Sequence, residues 1–410
     1  MIDPPAASAA TGAPRPLAAP ARPAAPYDAL LVVSYGGPNG PDDVLPFMRN
    51  ATRGKGIPDE RLLEVSGHYA RFGGVSPINA CNARLLEALS AELASRGADL
   101  PVVLGNRNWH PFMSEAAEGL VDAGARRILM LQTSAYASYS GCRQYREDVA
   151  AALAELGERA QGVEVDKVRS YHDSPGFLTA EVDVVAASVA RLLERGHAPS
   201  DIRLLFVTHS VPMPMQAGSG DPERPGADYA AQHLAVARLI VPRVEALLGI
   251  EPGRLVHELV YCSRSGPPSA RWLEPDVNDR LVELKAEGVA AVSCAPIGFI
   301  SDHMEVVFDL DTEAAATAAD LDLDYDRAAT AGTHPALIAS LADLVLERAA
   351  RARGEEVERP STLPAGPWPD ECGAHCCRMI GGLDTGVDVV AGPRAPKNGE
   401  IPSRGRPGRP

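Results

Sequence analysis

From Asp28 onward the chain alternates short apolar runs with longer amphipathic stretches, and few architectures accept that pattern. ALLVVSYGG (29–37) opens it. LPVVLGN (100–106), RRILMLQTS (126–134), IRLLFVTHS (202–210), RLVHELVYCS (254–263) and GVAAVSCAPI (288–297) follow. Between them lie NARLLEALSAELASR (82–96), YREDVAAALAELGERA (145–160) and TAEVDVVAASVARLLER (179–195), whose apolar residues recur at helical spacing. Strands apolar along their whole length, separated by helices, predict parallel sheets covered by helices, an α/β fold. Two such units succeed one another, divided where Asp, Ser, Pro and Gly cluster in YHDSPGF (171–177). The predicted domains are therefore 27–175 and 176–320, closed by a helical segment over 321–354.

The ends of the chain read differently. Residues 1–26 are almost wholly Ala and Pro, with too little apolar periodicity to offset the entropy of ordering, and are expected to form a disordered arm. Its prolines interrupt any signal-peptide core, and no run of about 18 apolar residues exists to span a bilayer, so a soluble, cytoplasmic protein is expected. Beyond Gly354 come a Pro-rich, cysteine-bearing extension (355–382) and a tail (383–410) expected to be disordered. A net charge of −15 argues against nucleic-acid or anionic-membrane partners. Seven cysteines, an odd number in a chain without an export signal, point to thiols or metal ligands rather than a disulfide framework.

Five features suggest chemistry. SDHMEVVFDLDTEA (301–314) spaces Glu305, Asp309 and Glu313 by four, so in a helix they share one face over about 12 Å. That spacing makes the acids repel one another, and a hydrated divalent cation relieves it; a solvated surface face is the plain alternative. His209 stands where an apolar strand stops before Pro212, at a strand mouth, where ligands of open parallel sheets bind. There an imidazole can take up a proton or bind a metal, although a hydrogen-bonded structural histidine is the commoner case. Tyr35 ends the first strand beside Gly36 and Gly37, which let backbone approach a ligand closely, and a phenolate can ligate iron. Arg49, Arg53, Lys55, Arg61 and Arg71 crowd a loop beside that strand end, followed by Ser76 in FGGVSP, where they can hold carboxylates or simply be solvated. Finally, Cys372, Cys376 and Cys377 lie within six residues, and Cys142 in SYSGCRQY offers a fourth thiol. Four thiolates suit zinc or a two-iron, two-sulfur cluster, with His375 as a substitute ligand.

LLVVSYGGP, YARFGGVSPIN, FVTHSVPM and APIGFISDHMEVVFDLD together resemble the ferrochelatases, which insert ferrous iron into a porphyrin in haem synthesis. The resemblance runs from about Tyr27 to Arg353 and implies two Rossmann-like domains of the type II chelatase kind, with the porphyrin cleft between them. By resemblance His209 and Glu305 are the catalytic pair, and Asp309 and Glu313 extend the metal path. Asp302 and His303 are further contributors on the same segment. Tyr35 matches a tyrosine that faces the iron opposite the histidine in enzymes acting on coproporphyrin III; Thr52, Arg53, Ser76 and Tyr145 fall near propionate-contact positions. His68 stands where that family carries an arginine. Cys142, Cys372, Cys376 and Cys377 match the ligands of a two-iron, two-sulfur centre. The expected reaction is iron insertion into coproporphyrin III by a monomer, with haem-pathway enzymes upstream and downstream as further partners. Insertion into protoporphyrin IX, a cobalt chelatase acting on sirohydrochlorin, and a non-catalytic tetrapyrrole carrier are the alternatives.

Overall fold

A computed structural model describes residues 23–54, 56–265, 269–373, 376–378 and 389–392. Among the described residues eight strands form two parallel four-stranded sheets. The first holds β1 (Ala29–Ser34), β2 (Val102–Asn106), β3 (Arg127–Gln132) and β4 (Glu164–Lys167) in the order β2-β1-β3-β4. The second holds β5 (Ile202–His209), β6 (Val256–Cys262), β7 (Ala291–Ala295) and β8 (Asp324–Arg327) in the order β6-β5-β7-β8, the same arrangement over again. Around them run α1 (Pro41–Ala51), α2 (Asp59–Ala70), α3 (Ile78–Ser95), α4 (Met113–Asp122), α5 (Gln144–Glu155) and α6 (Pro175–Glu194). Then come α7 (Met213–Ala217), α8 (Tyr229–Leu248), α9 (Val277–Ala286), α10 (Met304–Val307), α11 (Ala315–Asp320) and α12 (Pro335–Ala352).

Why the central strands are apolar throughout is visible in what each face meets. Along β1, Leu30 and Val32 point into one core and Ala29, Leu31 and Val33 into another, the period-two alternation of a strand covered on both sides. The first of these cores joins the two sheets: Leu30, Val32, Leu129 and Leu131 share it with Leu204 and Phe206 of β5. Between them lie Leu85 and Leu89 of α3, Val185 and Val189 of α6, Val236 of α8 and Leu341 and Val345 of α12. Each fully buried side chain of this size contributes on the order of 1.5–3 kcal/mol, so the shared layer fixes the two sheets against each other. The outer faces have separate cores, Met113, Leu120 and Val149 over the first sheet and Leu281, Leu284, Val306 and Leu310 over the second.

The order places the site. Chain leaving β1 turns toward β2, whereas the next strand, β3, lies on the opposite side of β1; β5 repeats this with β6 and β7. Connections that diverge in this way open a crevice at the carboxyl ends of the central strands. Tyr35 and His209 stand at those two ends.

Several expectations from the sequence need correction. β4 and β8 were not anticipated, because EVDK and DYDR are four-residue edge strands whose acidic and basic residues hide any apolar run. Residues 23–26, expected to belong to a disordered arm, are instead held in place: Ala24 is buried, and Arg353 donates to the carbonyls of Pro23 (3.0 Å) and Ala25. Residues 1–22 lie outside the described residues, as do Lys55, His375 and 393–410. Nor is the extension structureless where it is described. Trp368 is buried, its backbone N–H donates to Asp173 Oδ2 at 2.7 Å, and the Arg169 guanidinium donates to Pro360 O at 2.8 Å. Asp370 accepts from Arg351 and from Arg359 (3.0 Å). Within the tail, Ala391 N donates to Val165 O at 3.1 Å, so residues 389–392 lie along the outer edge of β4. Among the described residues no helix is long and apolar enough to cross a membrane.

Candidate active site

His209 is the last residue of β5, and Glu305 lies in the first turn of α10. Their side chains meet, with His209 Nε2 3.6 Å from Glu305 Oε1. His209 Nδ1 faces the carbonyl of Ser210, which favours a proton on that nitrogen and leaves Nε2 toward the carboxylate. Gly298 makes this approach possible: a Cβ there would fall 2.1 Å from the hydroxyl of Thr208, the residue beside His209 in β5. Thr208 in turn shares its hydroxyl with Tyr229 (2.6 Å) and His233 Nε2 (3.0 Å), so the strand end is held from behind.

α10 is capped by His303, whose Nδ1 accepts from Glu305 N at 3.2 Å. The helix is a single turn. It passes into a π-helical segment, Asp309–Ala314, in which Glu313 N bonds Phe308 O, before α11 resumes. The uniform α-helix expected for this stretch is therefore absent, yet the acids remain neighbours, and the wider π turn is a common feature of functional segments. They run from inside to outside: Glu305 and Asp309 are half-buried, Glu313 exposed. Asp309 accepts a bond from Ser263 Oγ at the end of β6.

Charge and burial interact here. Burial opposes charge on His209, but Glu305, the Ser210 carbonyl and Asp309 together outweigh it and hold the imidazole pKa above its ordinary value. Burial, aided by repulsion from Glu305 and Glu313 and opposed by the Ser263 bond, pushes the Asp309 carboxyl up to about 7. His303 is shifted down by burial and by His209, against the pull of Glu305. Glu305 also raises Tyr69 and Tyr145, both in the first half of the chain, each already raised mainly by burial. The Glu305 charge therefore acts on the first half of the chain as well as the second.

The remaining sequence-derived residues divide. Tyr35 is 40% exposed and set edge-on against Phe47, with centroids 6.2 Å apart. Thr52 caps α1 and donates to Met48 O (2.7 Å); Arg53 is exposed and donates to Asn50 Oδ1 (2.8 Å). Ser76 and Tyr145 are buried. A Cβ on Gly37 would strike Ser76 at 2.6 Å and one on Gly36, at φ +78°, would strike Asn106 at 2.8 Å. The two glycines thus admit protein neighbours on that side rather than a ligand. His68 stacks on Phe308, rings 4.0 Å apart and within 11° of parallel, carrying α2 across the crevice to the end of α10. Neither this contact nor the His303 cap was legible beforehand. A cavity of about 560 Å³ lies beside Ser301 and Asp302, lined also by Cys81, Arg84, Arg191 and Arg327, but it includes neither His209 nor Glu305.

At a second place Cys142, Cys372, Cys376 and Cys377 share one buried cluster with Trp368. Cys376 and Cys377 Sγ are 3.7 Å apart, and Gly220 N donates to Cys377 Sγ at 3.3 Å. Hydrogen bonds from Cys142 and Cys376 pull the Cys372 thiol well below its ordinary range, while its partners are pushed up. Among the described residues no three His, Cys, Asp or Glu side chains stand in the geometry of metal ligands; the sulfurs are neighbours that bond one another as thiols.

A crevice between two parallel sheets, with an imidazole and graded carboxylates at its mouth, defines the class: a two-sheet α/β metal chelatase. The ferrochelatase family model matches residues 27–349, and the chain belongs to that family. A coproporphyrin III ferrochelatase of Streptomyces griseus subsp. griseus is 54% identical over 363 residues, spanning 86% of this chain and 94% of that protein. One of Leifsonia xyli subsp. xyli is 48% identical over 365 residues (86% and 92%), and one of Corynebacterium glutamicum 41% over 355 (86% and 92%). Among solved structures, the sirohydrochlorin chelatase SirB of Bacillus subtilis subspecies spizizenii with cobalt aligns at a TM-score of 0.43 and 14% identity, covering 80% of this chain and 97% of that one.

Proposed function

We propose that this chain inserts ferrous iron into coproporphyrin III, giving the iron complex and releasing two protons. The observation that carries the reading is the His209–Glu305 pair, 3.6 Å apart at the end of β5. Relatives named coproporphyrin III ferrochelatase, aligned over most of their length, support the choice of tetrapyrrole. The macrocycle lies between Tyr35 and His209. Iron is the substrate metal; it approaches along Glu313, Asp309 and Glu305, moving from the exposed carboxylate to the half-buried ones as it loses water. His209 Nε2 takes protons from the pyrrole nitrogens, and Glu305 stabilises the imidazolium that forms. Thr52 and Arg53, beside the crevice end of α1, meet propionates, with Ser76 and Tyr145 shaping the wall behind them.

Under the same proposal the four cysteines hold a two-iron, two-sulfur cluster. Burial of all four and their mutual bonding suit a thiolate donor set, and the cluster would add a redox-active anionic group there. Side-by-side turnover with coproporphyrin III and protoporphyrin IX tests the main reading. Preference for the four-propionate substrate is expected. Equal turnover overturns the specificity, and binding without insertion reduces the protein to a carrier.

A further inference from the structure

We infer that His233, acting through Thr208, is a positioning residue for His209, and that Tyr136 braces it from the first half of the chain. This rests on the proposed reaction, in which His209 takes the pyrrole protons. β5 keeps both of its neighbours only part of the way. Its register with β7 ends at Phe206 opposite Ala295, while that with β6 continues to His209 opposite Cys262. Gly298 N takes Val207 O at 3.1 Å as the chain leaves β7, so among the described strands β6 alone accompanies Thr208 and His209. A strand end paired on one side frays readily, and a displacement of about 1 Å at a reacting group can cost on the order of 100-fold in rate.

The Thr208 side chain supplies the second anchor. Side chains alternate along a strand, so it points to the face opposite His209. There its hydroxyl meets Tyr229 Oη (2.6 Å) and His233 Nε2 (3.0 Å) of α8, and all three side chains are buried. One carbonyl fixes the direction of every bond. Tyr229 O can only accept, so His233 Nδ1, 2.7 Å away, carries the proton and Nε2 is bare. Thr208 then donates to Nε2, and the Tyr229 hydroxyl donates to Thr208 Oγ1. Burial pushes the His233 imidazole down to about 3, so the ring stays neutral and keeps its acceptor. The network is closed, with each donor matched, and it holds Thr208 in one orientation. His233 is fixed in turn: Tyr136, from the loop after β3, stacks on it with centroids 3.6 Å apart and planes within 14°, and His172 stacks on Tyr136 at 5.3 Å. A network that only stabilised the fold would leave the turnover of folded enzyme alone, whereas one that positions His209 lowers kcat at constant KM.

The full chain is purified as wild type, Thr208→Val, Thr208→Ser and His233→Phe. Iron insertion into coproporphyrin III is measured together with amide hydrogen exchange over 207–211. Thr208→Val keeps the shape and loses the hydroxyl; His233→Phe keeps a ring against Tyr136 and loses the acceptor. Each is expected to lower kcat about three- to tenfold, the range one neutral hydrogen bond supplies, with the KM for iron and for porphyrin unchanged and with faster exchange over 207–211. Thr208→Ser keeps wild-type kcat and exchange. The double variant should be no slower than the slower single one, because both changes remove the same bond. If His233→Phe loses the wild-type circular dichroism, Thr208→Val set against Thr208→Ser carries the test. Folded variants with wild-type kcat, or with a raised KM alone, overturn the inference and leave the proposed reaction standing. A wild type that inserts no iron overturns the reaction, and unchanged exchange in the variants then overturns the brace as well.

Discussion

His209 Nε2 stands 3.6 Å from Glu305 Oε1, one at the end of a central strand and the other in a one-turn helix after the neighbouring strand. An imidazole at this distance from a carboxylate binds its proton more tightly; burial lowers the His209 pKa, and Glu305, aided by the Ser210 carbonyl and Asp309, raises it above its ordinary value. Proton uptake needs the neutral ring, so activity rises as pH climbs through that raised value. Glu305→Gln removes the opposing charge and leaves burial dominant, which moves the acid limb of the profile to lower pH. Imidazole chemical shifts followed by NMR across pH 4–9 check the direction. An unmoved His209 titration would show that the pair does not interact in solution.

Replacing His209 itself separates chemistry from binding. On the proposed mechanism His209→Ala takes away the proton acceptor, and it removes no part of the hydrophobic layer that joins the sheets. Loss of a general base of this kind reduces turnover on the order of 10²–10⁴-fold. Porphyrin affinity, read by fluorescence quenching, should stay near the wild-type value. Full turnover in the variant removes His209 from the mechanism.

Asp309 gives a second pH signature. With its carboxyl held up to about 7 by burial and by Glu305 and Glu313, it is largely protonated at pH 6 and largely ionised at pH 8. A carboxylate attracts a divalent cation and a carboxylic acid does not, so the KM for ferrous iron should fall as pH rises through about 7. Asp309→Asn flattens that dependence while leaving the porphyrin KM unchanged. A porphyrin KM that moves instead would place Asp309 at the macrocycle rather than on the metal path.

How much of this was written plainly in the chain depends on how local each cause is. β1 and β5 are apolar on both faces and announced themselves, as did the placement of Tyr35 and His209 at their ends. The equal spacing of Glu305, Asp309 and Glu313 was visible, but not the π turn that widens it. The extension looked structureless because it lacks periodicity. What orders it is long-range: Trp368 lies under Arg224 (4.8 Å) and Asp173, and Asp370 under Arg351 and Arg359. Composition carries no trace of partners that distant. His68, read only as a departure from the family's arginine, turns out to stack on Phe308.

That stack has a consequence for the crevice. α2 buries a single apolar residue, Leu62, and carries exposed Leu63, so little besides the His68–Phe308 pair and the cation–π approach of Arg71 to the same ring (5.9 Å) ties it across. An aromatic pair contributes about 0.5–1.5 kcal/mol beyond its buried area. Phe308→Ala is therefore expected to free α2 from the far wall without unfolding either sheet. Trypsin should then cut at Arg61 or Arg71 about two- to twelvefold faster than in wild type, following that energy at about 1.4 kcal/mol per tenfold in the open population. Bound porphyrin, if it occupies the space beneath α2, slows cleavage again. Equal cutting of variant and wild type would mean that the ring stack does not hold the helix.

The glycine behind the catalytic strand offers a prediction about stability. At Gly298 a Cβ would sit 2.1 Å from Thr208 Oγ1 and 2.8 Å from its Cα, and the latter is backbone that cannot swing away. Thr208 has little room to yield, since its hydroxyl is already engaged by Tyr229 and His233. Gly298→Ala must push the strand end outward, at the cost of about 1–3 kcal/mol typical of an overpacked core. The displaced residue is the one that precedes His209, so catalysis should fall with stability. Urea unfolding and turnover measured on the same preparation check both. Thr208→Ser removes only a methyl and lets the hydroxyl rotate; combined with Gly298→Ala it should recover part of the loss, whereas strictly additive effects would show that the two residues do not meet.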